Sequence, residues 1–168
     1  MYIRRKKVDK RVVIANDHGA VDLKKCIVSH LIERGYTVDD LGLTENEAAD
    51  YPDQAVKACT TYLNGDYEFG IVCCGTGIGI SIAANKIDGI RCALPQNKFA
   101  ASMAKEHNNV NFLAFGGRIE YTDPVETMID AFIDSTVNKD ERHVRRVNKI
   151  MEIESMLLQL SPVKRKRQ

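Results

Sequence analysis

The chain alternates short, uninterrupted apolar runs with longer stretches whose apolar residues recur every three or four positions. Val12-Val13-Ile14-Ala15 is followed, after Asn16-Asp17-His18-Gly19, by an amphipathic stretch from Val21 to Arg34. The spacing predicts a buried strand, a loop and a helix, with Gly35 where a left-handed residue closes a helix. The alternation then repeats. Thr37-Val38 leads to a helix beginning near Pro52, and Phe69-Gly70-Ile71-Val72-Cys73 leads through a glycine-rich loop to Ile80–Lys86. Arg91–Leu94 precedes a helix around Lys98–Glu106, and Asn111–Phe115 precedes one around Pro124–Ile133. Strands without polar alternation, separated by helices, are buried on both faces. The expected fold is α/β, a Rossmann-like three-layer sandwich of about five mostly parallel strands with helices on both faces.

Val144 to Leu160 reads as one long C-terminal helix, its stripe formed by Val147, Ile150, Ile153, Met156, Leu157 and Leu160. Such a stripe packs on its own domain or on a second subunit. At 168 residues the length suits one compact domain. The boundaries expected are a basic extension over residues 1–10, one domain over 11–160 and a basic tail over 161–168.

Composition narrows the function classes. With 44% hydrophobic and 28% charged residues and a formal net charge of +1, the chain has the profile of an ordinary folded domain. It has no global basic excess of the kind that nucleic-acid binding requires, and the terminal runs Arg4-Arg5-Lys6-Lys7 and Lys164-Arg165-Lys166-Arg167 lack interleaved aromatics. No nucleic-acid partner is expected. Nor is a membrane, since no apolar run approaches the roughly 20 residues that span a bilayer. Five cysteines, an odd number with no C-x-x-C pair, and no recognisable signal peptide lead to the expectation of a reducing compartment, the cytoplasm.

In an open parallel sheet, ligands bind beyond the carboxyl ends of the strands. The loops there hold Asp17-His18, Asp40, Cys74 to Gly79, and Gly116-Gly117-Arg118. In Cys74-Gly75-Thr76-Gly77-Ile78-Gly79-Ile80-Ser81, alternating glycines let successive N–H groups converge on an anion at a helix start. The same glycines also suit a plain tight turn. The loop lacks G-x-G-x-x-G and the Gly-Lys-Ser/Thr ending of a P-loop, which disfavours dinucleotide and ATP sites. Cys74 opens the loop, either as a thiolate base or as a small buried hydrophobe. His107-Asn108-Asn109 ends a helix, where a histidine can simply cap carbonyls. Arg142 and Arg146, four apart, can fork onto one phosphate or be solvated charge. No H-E-x-x-H or paired-cysteine motif is present, so neither a metal nor any other cofactor is expected.

Taken together, Asn16-Asp17-His18, Asp50-Tyr51-Pro52, Cys74 to Lys86, Glu106-His107-Asn108-Asn109, Ala114 to Arg118 and Arg142-His143 with Arg146 resemble the type B ribose-5-phosphate isomerases, a family that includes the galactose-6-phosphate isomerase subunits. The resemblance implies an aldose-ketose isomerase that interconverts ribose 5-phosphate and ribulose 5-phosphate through an enediolate. It makes Cys74 the base, His107 the ring-opening group, and Thr76 with Asp17 the groups that position ring oxygen or hydroxyls. The amides of Gly75, Thr76, Gly77, Ile78 and Gly79, with Ser81, would form the anion hole, and Tyr51 would line the pocket. His18, Arg118, Arg142 and Arg146 would hold the phosphate and Asn108 would touch the intermediate. It further implies a homodimer, or a dimer of dimers, with sites shared between subunits.

Some members carry glycine for the cysteine and a glutamate that would fall at Ile80, so this chain is of the cysteine type. The order Asp17-His18-Gly19-Ala20 departs slightly from the commoner Asp-His-Ala-Gly. Two alternatives stand beside this reading: the same chemistry on allose 6-phosphate or galactose 6-phosphate, and a phosphosugar-binding module without catalysis, which would have no need of both Cys74 and His107.

Overall fold

The computed structural model describes residues 10–159, with side chains as far as Met156. Nearly all of the expected N-terminal extension, and the whole C-terminal tail, lie outside the described residues. Five strands form one sheet: β1 (Arg11–Asn16), β2 (Thr37–Asp40), β3 (Phe69–Cys74), β4 (Cys92–Ala93) and β5 (Phe112–Gly116). Their order is β2-β1-β3-β5-β4, and every pairing is parallel.

Parallel neighbours require a crossover between them, and six helices supply these crossovers and the C-terminal arm. They are α1 (Val21–Glu33), α2 (Tyr51–Leu63), α3 (Ile78–Ala84), α4 (Lys98–Asn108), α5 (Val125–Asp134) and α6 (Glu141–Gln159). Because side chains alternate along a strand, the sheet divides the core in two. Val12, Ile14, Phe69, Ile71 and Cys73 pack under α1, α4 and α5 through Ile27, Leu31, Ala101, Met128 and Phe132. Val13, Ala15, Val72 and Cys74 pack on the other face under α2 and α3 through Ala55, Cys59, Ile80 and Ala84. The expected three-layer sandwich is present, and its sheet is parallel throughout.

Differences of detail have local causes. β4 is only two residues long and half-buried, as suits an edge strand with one neighbour. α3 starts at Ile78, two residues before its expected start, since Gly77 caps it in a left-handed conformation. α6 starts at Glu141, three residues early, which brings Arg142 and Arg146 inside its first two turns. Its apolar stripe is not covered by the other described residues: Val147 is half-buried, but Ile150, Ile153 and Met156 are exposed. Of that stripe, the side chains of Leu157 and Leu160 lie outside the described residues.

The order β2-β1-β3 reverses the direction of winding between β1 and β3, so the loops leaving these two strands part and leave a crevice. The polar residues after β1 and β3 stand at that crevice.

Candidate active site

Three loops meet at the carboxyl edge of the sheet. The Asp17 N–H donates to the Cys73 carbonyl at 3.0 Å, joining the end of β1 to β3. The N–H groups of Gly117 and Arg118 donate to the carbonyls of Cys74 and Gly75 at 2.8 and 2.9 Å, joining the end of β5 to the same point. Asp17, itself buried, accepts from the Gly19 N–H through Oδ1 at 2.7 Å and so starts the short 3-10 turn His18–Ala20, which leaves His18 exposed. The transposed Gly19-Ala20 therefore leaves Asp17 and His18 at the crevice.

Cys74 ends β3 and is buried, only 4% exposed. Its Sγ accepts from the Gly77 N–H at 3.1 Å, so an amide of the loop is already turned toward the sulfur. Cys73, on the other face, differs in kind. Burial pushes its thiol far above the usual range, which makes it a packing group. Gly77 has φ +75°, and a Cβ there would stand 2.6 Å from Leu94 and 2.9 Å from the Phe115 carbonyl carbon. Only glycine both turns left-handed and permits this approach, which is what folds the loop back over Cys74.

Around that loop, the Thr76 side chain is exposed and its Oγ1 accepts from the Ile78 N–H at 3.3 Å. The Ser81 hydroxyl is nearly buried and donates to the Ile78 carbonyl at 2.8 Å, holding the first turn of α3. Tyr51, the first residue of α2, lies against Gly79, where a Cβ would come within 2.7 Å of its ring. A side chain on Gly75 would stand 3.7 Å from the Arg118 guanidinium carbon, so this cation lies beside the loop. Asp17, His18, Tyr51, Cys74, Gly75, Thr76, Gly77, Ile78, Gly79, Ser81 and Arg118 thus belong to one edge of the sheet.

The other four residues do not. α4 connects two parallel strands, so it runs back from the carboxyl edge and ends at the amino edge, carrying His107 and Asn108 there. Contacts fix that position. The Arg91 guanidinium, just before β4, donates to the Asn109 carbonyl at 2.6 and 2.9 Å, and the Asn138 N–H donates to the Glu106 carbonyl at 2.9 Å. α5 likewise runs back, so α6 and its Arg142 and Arg146 also start at the amino edge. The His107 ring stacks on that of His143 in the first turn of α6, with centroids 4.2 Å apart and planes 16° apart. A strand the length of β3 spans about 17 Å, so Cys74 and His107 of one chain stand at opposite ends of the sheet.

Reading the sequence for the loops after each strand found Asp17, His18, Cys74 to Gly79 and Arg118; Tyr51 and Ser81 came only from the family resemblance, and the stacking partner His143 was left without a role of its own. A groove of about 740 Å³ adjoins the second group, lined by Asn108, Ile90, Arg91, Val110, Ile150 and Ile153 among others. Among the described residues no three His, Cys, Asp or Glu side chains gather as a metal site, and no helix is long and apolar enough to cross a membrane.

A family model described as Ribose/Galactose Isomerase matches residues 12–150. The chain is similar to the ribose-5-phosphate isomerase B of Escherichia coli, with 39% identity over 145 residues, covering 86% of this chain and 97% of that one. It is 37% identical to the protein of the same name from Mycobacterium tuberculosis, again over 86% of this chain and over 90% of that one. Among solved structures, the ribose-5-phosphate isomerase B of Clostridium thermocellum superposes with a TM-score of 0.82 at 43% identity, over 88% of this chain and 99% of that one. The type B enzyme of Leishmania infantum superposes at 0.83 with 36% identity, over 89% and 99%.

Proposed function

The chain belongs to the ribose/galactose isomerase family, and on that premise we propose that it interconverts ribose 5-phosphate and ribulose 5-phosphate by moving a proton between C2 and C1. The observation that carries the reading is the Cys74 sulfur set at the head of an amide-lined loop in the crevice between β1 and β3.

In this account the Cys74 thiolate removes the C2 proton of the open-chain aldose. The enediolate oxygens rest on the amides of Gly75 to Gly79 while the hydroxyl proton passes from O2 to O1, and the carbon proton returns to C1. Asp17 and Thr76 orient the hydroxyls, Ser81 stands with the loop amides at the anion hole, Tyr51 bounds the pocket, and His18 and Arg118 supply phosphate contacts from this edge. Opening the furanose ring needs an acid/base group, which is the part of His107, with Asn108 against the intermediate and Arg142 and Arg146 on the phosphate.

Since those four stand on the far edge, the complete site lies between two copies of the chain, each giving its carboxyl edge to one site and its amino edge to the other. The exposed apolar residues support that pairing. Ile78 and Ile82 on α3 and Phe99 at the start of α4 face solvent beside the first group, while Ile150, Ile153 and Met156 face solvent beyond the second. A two-fold contact that laid one face on the other would cover both and complete two sites at once. We assign the protein to the cytoplasm, in keeping with its five free cysteines.

The test is a coupled assay of purified protein on ribose 5-phosphate beside allose 6-phosphate and galactose 6-phosphate, with chelator present throughout. Turnover should be highest on the pentose and unaffected by chelation. Activity that is lost in chelator and restored by a divalent ion contradicts the proton-transfer mechanism.

A further inference from the structure

His143 has no part in the reaction as set out above, yet it is the most deeply buried of the four histidines, 4% exposed. One face of its ring lies flat on His107. Its Nε2 lies 3.1 Å from the Arg142 Nε, and a guanidinium can only donate. The Nε2 atom must therefore offer a lone pair, which makes the imidazole neutral with its proton on Nδ1. A buried ring that merely filled space would be served by an apolar residue. Here a polar one points its lone pair at a cation and its face at an acid/base group, and both have parts in the proposed reaction.

We infer that His143 is a positioning residue: by stacking on His107 and accepting from Arg142, it sets the plane of the ring-opening imidazole and the direction of a phosphate-binding guanidinium together. The inference rests on the reading of His107 and Arg142 given above. The surroundings keep the ring in the form that this requires. Burial first, then the facing charges of His107 on α4 and of Arg142 and Arg146 on α6, hold its pKa below the usual histidine value, with Asp140 opposing them. A proton on Nε2 would remove the acceptor and place a further positive charge among these groups.

Two variants separate the two contacts. His143→Phe keeps a flat ring against His107 and offers Arg142 nothing. Freeing one long side chain in this way should raise KM for ribose 5-phosphate and the inhibition constant of inorganic phosphate roughly three- to tenfold, with kcat nearly unchanged. His143→Gln keeps an oxygen for Arg142 and removes the stacked ring. It should lower kcat on cyclic ribose 5-phosphate while sparing KM and the C1 proton exchange of open-chain ribulose 5-phosphate. A purely structural role would instead lower all parameters by the same factor in both variants, in step with lost thermal stability, and that result overturns the proposal.

The unmodified protein provides a check that needs no variant to fold. With 15N-labelled histidine, the His143 signals should show the proton on Nδ1 at neutral pH, and a proton on Nε2 overturns the proposal outright. Neither the tautomer nor inorganic phosphate binding depends on turnover. A protein inactive on ribose 5-phosphate that still shows the Nδ1 proton, and weaker phosphate binding in His143→Phe, would sink the isomerase reading and leave the positioning role standing.

Discussion

At the carboxyl edge of the sheet the candidate groups are held by backbone. Cys74 and Asp17 are nearly buried, and the loops that carry them are tied by amide-to-carbonyl bonds of 2.8 to 3.0 Å. At the amino edge the groups stand on helix ends and reach outward. Arg142 and Arg146 are exposed on a helix that packs on its own domain mainly through α4, and His107 is braced by another side chain. The rigid edge suits the step with the narrowest geometric tolerance, carbon-acid proton transfer to a base that must be preorganised. The reaching edge suits ring opening and capture of a phosphate, where long cationic side chains close on an anion. One chain holds both kinds of surface but cannot direct them at one substrate, which is the reason to expect a second copy.

The sharpest way to break the contrast is at the sulfur. Cys74→Ala should lower kcat at least about a hundredfold and leave inhibition by inorganic phosphate nearly intact, because a positioned base acts on chemistry more than on binding. Steady-state kinetics on ribose 5-phosphate decide it. Cys73→Ala, one residue away on the opposite face, should leave kcat within about twofold. Near-normal turnover in the Cys74 variant would move the base elsewhere.

On the amino edge the effect should be smaller and of another kind. Arg142→Ala or Arg146→Ala should cost about ten- to hundredfold in kcat/KM, mostly as raised KM, since charge-assisted hydrogen bonds hold the phosphate in ground state and transition state alike. Arg146→Lys should not be silent, because an ammonium does not fork onto two oxygens. Unchanged KM and unchanged phosphate inhibition in both alanine variants would return the pair to a solvated helical face.

These contrasts also explain what the sequence made legible. Uninterrupted runs such as Val12–Ala15 and Phe69–Cys73 announced buried parallel strands because both faces must be apolar. The glycine loop was visible because left-handed turns and close approaches restrict residue type so strongly. The split of the candidate residues between two edges follows from the alternation itself, since a helix between parallel strands ends where the strands begin, but it has no local residue signature. The role of His143 was less accessible still. It depends on where α6 leaves α5 and how its first turn meets α4, which no periodicity in either helix encodes.

A milder test compares the loop with the ring beside it. Gly79→Ala would place a methyl group 2.7 Å from the Tyr51 ring, and that exposed ring can swing away. KM should rise a few-fold, about two to five, with the fold intact, because the part proposed for Tyr51 is in binding alone. An unchanged KM would remove Tyr51 from the pocket.

The smallest effect expected is in stability. The fold favours neutral His143, so below the ordinary histidine pKa of about 6.5 the unfolded chain takes up a proton that the folded chain resists. Stability should therefore fall as pH drops from about 6.5 toward 5.5, before the carboxylates begin to titrate. In His143→Phe the same interval should be flatter, as thermal unfolding at the two pH values would show. An equal slope in both proteins would mean that the folded chain takes up this proton as readily as the unfolded one.

The central claim, that each site draws on both edges from two copies, is tested most directly by mixing two defective proteins. Cys74→Ala and His107→Asn, each nearly inactive on ribose 5-phosphate alone, would be unfolded together and refolded at equal concentrations. Random pairing puts about half of the dimers in mixed form with one intact site of two, so turnover should recover to about a quarter of the unmodified level. Mixed protein no more active than the two variants measured separately, although mixed dimers form, would contradict the account and place both residues in a site within a single chain.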